Sequence, residues 1–315
     1  MIRLANTYIP PNTRQHLEIP VACFPTQTMV SLPVTVITGA KDKPCLWVSA
    51  AIHGNEINGV EIIRQVLKHI SPERLTGTLI AVPIVNVFGF IEQSRYLPDR
   101  RDLNRSFPGS PRGSLASRLA HLFMTEVVSQ CTHGIDLHTA SDHRTNLPQI
   151  RANLQDYETY RCAKAFGAPL MIHANVRDGS LRQAATQQGI PVLLYEGGEA
   201  LRFDRHAIGV GVEGILRVMQ LLGMYEVPGL PDGEPSLHVE KTQWVRAPRS
   251  GILRLKVALG DRVWRKQQLG TIADAFGETS AEVYVPFNGL VIGHTQNPLV
   301  NQGDAILHIA QLQFT

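Results

Sequence analysis

Cysteine is scarce. Cys23, Cys45, Cys131 and Cys162 are scattered through 315 residues, with no Cys-x-x-Cys pair and no dense framework. That spacing excludes a small disulfide scaffold and a cysteine-rich zinc module, and it suits reduced thiols in a cytoplasmic setting. No apolar run approaches the ~18 residues of a membrane-spanning helix, and the start, Met1 to Gln15, has no apolar core of a signal peptide. The chain therefore reads as soluble and intracellular, without a membrane partner. An excess of charge is missing too. Thirty basic residues face 27 acidic ones, for a net +3, and the basic clusters at Asp99–Asp102 and Arg262–Lys266 are short and interrupted. No nucleic-acid partner is expected. Also absent are a Gly-x-Ser-x-Gly elbow, a phosphate-binding P-loop and a Gly-x-Gly-x-x-Gly turn. What is present is ample apolar material: 43% hydrophobic residues against 18% charged. A sizeable core can be buried, so disorder is excluded.

Residues 1–40 read as extended and loop-rich. Cys45–Ile52 is a nearly continuous apolar run, as expected of a strand buried on both faces. It stops at His53-Gly54-Asn55-Glu56, after which Val60, Ile63, Val66/Leu67 and Ile70 recur at helical steps. Thr78–Val87 predicts a second apolar strand. Ser114 is placed to cap a helix carrying Leu115, Leu119, Phe123 and Val127 on one side. A short strand-like run covers Gly134–Thr139, a helix much of 155–167, a third apolar strand Ile190–Glu196, and a last helix 205–225. Strands alternating with helices predict an α/β fold, a mixed, mostly parallel sheet flanked by helices.

The character changes in the Pro/Gly-rich segment 227–236. Beyond it come short alternating runs and an internal echo. Pro248-x-x-Gly251 precedes Gly260-Asp261, and Pro286-x-x-Gly289 precedes Gly303-Asp304, at separations of 38 and 43 residues. Two similar β units predict a small all-β C-terminal domain with pseudo-twofold symmetry. The expected division is a catalytic domain over 1–235 and a β-rich domain over 236–315.

Four clusters can carry chemistry. In His53-Gly-Asn-Glu56 an imidazole and a carboxylate stand three residues apart where a buried strand ends, the crevice in which open α/β sheets bind ligands. Both are good zinc ligands, and catalytic zinc often takes two histidines and an acid. His138, in Asp136-Leu-His138-Thr139, has a similar strand-end setting, and strand alternation puts Asp136 on the same face, where it can orient the imidazole. His133, His143 and His173 compete with it in less strand-terminal positions. Glu196 ends an apolar strand before Gly197-Gly198 and, partly desolvated there, suits a general base; Glu199 competes less well. Arg95, Arg100, Arg101 and Arg105 fall within eleven residues together with Asn104. Beside a metal, such guanidinium groups grip a substrate carboxylate or stabilise an oxyanion.

His53-x-x-Glu56, Asp102-Leu-Asn104-Arg105, Asp136-Leu-His138-Thr139 and Glu196-x-Gly198 occur together in the order found in the succinylglutamate desuccinylase/aspartoacylase family of the zinc carboxypeptidase-like group, which this chain resembles over residues 45–200. Residues 240–312 resemble the β-rich tail of longer bacterial members, a biotinyl/lipoyl-type fold. The resemblance implies one Zn2+ per chain on His53, Glu56 and His138, with Glu196 as base. Asn104 and Arg105 would bind the carboxylate of a small N-acyl substrate. Arg95, in Ser-Arg-Tyr, and Arg101, just before Asp102-Leu-Asn104-Arg105, both compete to polarise the scissile carbonyl, because the spacing here includes extra residues; Arg101 is preferred, leaving Arg95 to bind substrate. A three-ligand zinc leaves one position for water, Glu196 takes its proton, and hydrolysis of a small N-acyl amino acid is the implied activity. Peptide trimming by a carboxypeptidase, or ligand binding on an inactive scaffold, are the alternatives. The turn Ile272–Gly277 lacks the lysine of a covalent carrier, and Lys266 lies too early. The tail is instead expected to cap the site, limit access by large substrates or mediate contact in a homo-oligomer.

Overall fold

In the computed structural model, which describes residues 2–233 and 235–312, the alternating apolar runs form the middle of a large mixed sheet. Its four central strands, Thr78–Val82, Cys45–Ala50, His133–His138 and Val192–Glu199, are parallel. Each is buried on both faces. Cys45 and Trp47 enter one hydrophobic core while Leu46, Val48 and Ala50 enter another, and Ile80/Val82 and Leu79/Ala81 divide the same way. A strand with no solvent face needs apolar residues at every position.

Helices cover both faces. Asn58–His69 packs its Ile62, Ile63 and Val66 in the same core as Ile208, Val212 and Ile215 of Arg205–Leu221. On the opposite face, Leu115–Glu126 adds Leu119 and Phe123 beside Trp47. The expected cap is present: Ser114 accepts a hydrogen bond from the amide of Ser117. Asp156 and Asp204 likewise cap the helices that follow them.

The sheet departs from the expected mostly parallel arrangement. On one side Met29–Thr38 and Thr13–Cys23 join antiparallel. On the other, Val192–Glu199 pairs antiparallel with Arg144–Ala152, a segment for which the sequence predicted no element. That strand in turn pairs with Gly289–Thr295 from beyond the Pro/Gly segment. Ala305–Gln311 and Thr242–Arg246 follow in order. Among the described residues the sheet has thirteen strands and runs unbroken from the N-terminal hairpin into the C-terminal region. These hairpin and tail strands, free of crossover helices, pair antiparallel at its flanks, whereas Leu237–Val239 of the tail runs parallel to Leu170–His173.

The tail also forms a four-stranded sheet, Ser280–Tyr284, Gln268–Ala273, Gly251–Leu255 and Leu299–Val300, around its own core of Leu253, Val263, Leu269 and Ile306. The sequence echo is structural. Gly251 and Gly289 each open a strand, and Gly260 and Gly303 each take a left-handed turn. Asp261 and Asp304 accept the backbone N–H three residues earlier, at 2.8 and 2.7 Å. No helix among the described residues is long and apolar enough to cross a membrane.

Candidate active site

His53 and Glu56 leave the central strand Cys45–Ala50 in a tight loop. Gly54 is required there by space. A Cβ at this position would stand 1.9 Å from the backbone carbon of Gly89. The loop thus lies flat on the helix Val87–Ile91, and both side chains turn inward. His138 ends the adjacent strand. Its imidazole Nδ1 lies 2.7 Å from Glu56 Oε2, and His53 Nδ1 lies 2.7 Å from Glu56 Oε1. All three are buried, and one ligand atom from each falls within 4.8 Å of the others.

The outward nitrogens are held as well. His138 Nε2 meets Asp136 Oδ2 at 2.8 Å, and Ser49 Oγ donates to Asp136 Oδ1 at 2.8 Å. His53 Nε2 meets Asp102 Oδ1 at 3.2 Å. Each imidazole is thus gripped by a carboxylate behind it and presents Nδ1 forward, the arrangement that orients histidine on a metal. Asp136 was expected in this role; Asp102, quoted in the motif, was not.

Electrostatics fit the same use. Burial opposes ionisation of Glu56, but the His53 and His138 imidazoles outweigh it and hold the carboxyl well below the usual range. Burial likewise opposes charge on His138, while Asp136 and Glu56 pull its pKa well above that of a free imidazole. Two imidazoles and a carboxylate converging in a desolvated pocket match the donor set of catalytic zinc. A second trio, His133, Glu158 and Cys162, also clusters. There burial pushes the thiol up to about 12, and Arg161 occupies Glu158 at 2.8 Å. None of the three lines the cavity that holds the His–Glu–His group.

The His–Glu–His group opens into a cavity of about 720 Å³ that also contains Glu196, Asn104, Arg105 and Arg95. Glu196 lies beside His138 across the parallel pair. Asn146 Nδ2 donates to its Oε2 at 2.6 Å, and Arg151 Nε stands 3.6 Å from Oε1. Asn104 Oδ1 accepts the amide of Leu181, and Arg105 donates to the carbonyl of Asn104. Arg95 Nη1 lies 3.3 Å from His53 Nδ1 and 3.5 Å from Glu56 Oε1, with Nη2 donating to Asp102 at 2.9 Å.

Arg101 is not brought to the site. Its side chain is 64% exposed, 3.9 Å from Asp99, and does not line the cavity. Rival histidines lie elsewhere: His133 faces Glu158, and His173 accepts the amide of Leu154. Neither they nor His143 line the cavity, and Glu199, 3.4 Å from Arg202, is outside it as well.

Sequence reading missed Arg144, Arg151, Arg177, Arg182 and Asn146, all in the cavity wall, and Trp244, which reaches it from the tail. Arg144 lies 5.1 Å over the Trp244 ring, which stacks on His308 at 4.5 Å. Arg182 is buried and donates to the carbonyls of Ala174 and Asn175. Alternation within Arg144–Ala152 is the signal that could have found the first of these.

Fold and pocket together define an α/β protein with an acid–imidazole centre at the carboxyl ends of its parallel strands. Residues 42–222 match the succinylglutamate desuccinylase/aspartoacylase catalytic domain, and the chain belongs to that family. It is similar to the N-alpha-acetyl-L-2,4-diaminobutyric acid deacetylase of Halomonas elongata, 27% identical over 90% of this chain and 86% of that one. Among solved structures, a succinylglutamate desuccinylase/aspartoacylase from Rhodobacter sphaeroides is 26% identical with a TM-score of 0.83, covering 95% of each chain. The product-bound ectoine utilization protein EutE (DoeB) from Ruegeria pomeroyi has a TM-score of 0.86 at 24% identity, covering 96% of this chain and 98% of that one.

Proposed function

We propose that this protein is a zinc-dependent deacylase that hydrolyses the amide bond of a small N-acyl amino acid. The reading rests above all on the two Nδ1 atoms that converge on Glu56 in a cavity shared with Glu196. His53, Glu56 and His138 would hold one zinc ion per chain. That ion would supply Lewis-acid polarisation and bring the pKa of water to ~7.

The chain's own groups do the rest. Glu196, with Oε2 tied to Asn146, keeps Oε1 for the proton of the attacking water and later passes that proton to the departing amine nitrogen. Arg95, rather than Arg101, is placed to stabilise charge on the carbonyl oxygen, since it stands beside the ligand set. Asn104 and Arg105 bind the substrate carboxylate. The Halomonas relative, named as a deacetylase of an N-acetylated amino acid, supports the substrate class. The division into a catalytic part over 1–235 and a lipoyl-like β tail over 236–315 is supported by the tail's separate core and paired turns. Four free thiols suit the reducing cytoplasm.

Amine release from N-acetyl, N-succinyl and N-formyl amino acids, with short peptides as controls, tests the reading. Turnover is expected on the acyl amino acids; turnover on peptides alone would make the protein a carboxypeptidase. Glu196→Gln should keep its metal and lose nearly all turnover, by about 10²–10⁴-fold. Normal turnover in that variant would remove Glu196 from the mechanism.

A further inference from the structure

Glu196 occupies an irregular stretch of strand. Register with Arg144–Ala152 shifts between Glu196 and Gly198, and Gly198 takes φ +76°. A bulge of this kind re-aims a side chain but does not hold it. Arg151 Nε, at 3.6 Å, is beyond hydrogen-bond distance. The short contact is the Asn146 amide, whose Nδ2 donates to Oε2 at 2.6 Å.

Asn146 is 6% exposed and lies between two glycines. Its Cα partners are Gly198 on the catalytic strand and Gly293 on the strand that returns from the tail. Gly293 is there for room. A Cβ built on it would stand 2.7 Å from Asn146 Oδ1, 3.2 Å from the carbonyl oxygen of Thr145 and 3.4 Å from His308 Cβ. The first contact is closer than a real Cβ tolerates, so a side chain at 293 requires the Asn146 amide to shift, and with it the donor to Glu196.

We infer that Asn146 is a positioning residue for the general base, and that the C-terminal strand sets its position through Gly293. The inference rests on the reading of Glu196 as base. The physical logic is that a base must present one oxygen at a fixed place. A neutral amide donor pins the other oxygen without neutralising the carboxylate, as a guanidinium would tend to do. Losing the pin frees the carboxylate to rotate, and a displacement of about 1 Å at a reacting group costs roughly 10²-fold in rate. The tail thereby contributes to catalysis without Gly293 touching substrate.

Substitutions at the two positions separate this role from simple packing. Asn146→Ala should lower kcat by about 10²-fold, leaving KM and bound zinc nearly unchanged. Asn146→Asp keeps the shape but replaces the donor by a second carboxylate. It should lose kcat to a similar extent and move the acid limb of the pH profile upward, because a like charge disfavours ionisation of Glu196. Gly293→Ala should reproduce the kcat loss, and in the double variant with Asn146→Ala it should add nothing further. A crystal structure of Gly293→Ala should place the Asn146 amide beyond hydrogen-bond reach of Glu196. Near-normal kcat in Asn146→Asp, or losses that multiply in the double variant, would overturn the inference. Should Gly293→Ala not fold, the two Asn146 variants decide. Should the wild-type protein release amine from no acyl amino acid, the deacylase reading falls, while the Gly293→Ala structure still decides whether the tail positions Glu196.

Discussion

His138 Nδ1 and Glu56 Oε2, 2.7 Å apart, are placed to hold a proton between them, and a metal ion bound to the same atoms would compete with it. His138 titrates above its free value of 6.5. Its protonated form therefore stabilises the metal-free protein fully below about pH 6.5, and that contribution is lost as pH rises through the raised value. Metal must displace this proton. Zinc affinity should consequently increase with pH, and zinc addition at pH 7 should release protons, measurable by calorimetry in two buffers of different ionisation enthalpy. Equal heats in both would mean that His138 is already neutral. A second residue-scale expectation concerns Arg105. If it grips a carboxylate, Arg105→Ala should weaken free-acid substrates much more than their amides, by about 1.5–3 kcal/mol for a charged hydrogen bond. Equal losses in kcat/KM would count against the assignment. The clustering of His53, Glu56 and His138 was legible because each residue ends or follows a strand whose apolar run is plain. The arginines were not. Arg95 and Arg101 share one irregular loop, in which Gln93 and Arg100 take positive φ, and nothing in their spacing says which of the two Asp102 draws inward.

Elements with a single strong period were legible in the sequence; Arg144–Ala152, one of those that were not, carries three of the missed site residues. Arg144–Ala152 has polar positions throughout and Pro148 in the middle, which argues against a strand inside a sheet. The proline is tolerated because it lies where the register with Val192–Glu199 is interrupted, between Asn146 and Gln149. With no element assigned to this segment from the sequence, Arg144, Asn146 and Arg151 went unnoticed together. The loop His53–Glu56 depends in a similar way on a neighbour that sequence does not reveal, the backbone of Gly89. Gly54→Ala must push the two apart. A destabilisation of about 1–3 kcal/mol, accompanied by loss of bound zinc, is expected from thermal melts and metal analysis. Normal metal content would show that the loop can shift without moving its ligands.

Over the whole molecule, a net charge of +3 conceals an uneven distribution. Arg95, Arg105, Arg144, Arg151, Arg177 and Arg182 all line one cavity, against Glu56, Asp142 and Glu196. Asp142 accepts a hydrogen bond from Asn55, and Glu56 is committed to the imidazoles. The cavity is left electropositive, and such a field attracts anions over roughly a Debye length of ~10 Å at 0.1 M salt. For an anionic substrate kcat/KM should fall as ionic strength rises, with kcat far less affected. A salt-independent kcat/KM would argue against this steering. None of this was legible from composition, because total charge averages over a surface whose opposite signs are separated in space.

The pairing of Val192–Glu199 with Arg144–Ala152, and of that strand with Gly289–Thr295, makes the Pro/Gly stretch at 227–236 a tether and not a hinge. If a protease severed it, the two fragments would still be stitched edge to edge, and Asn146 would keep its grip on Glu196.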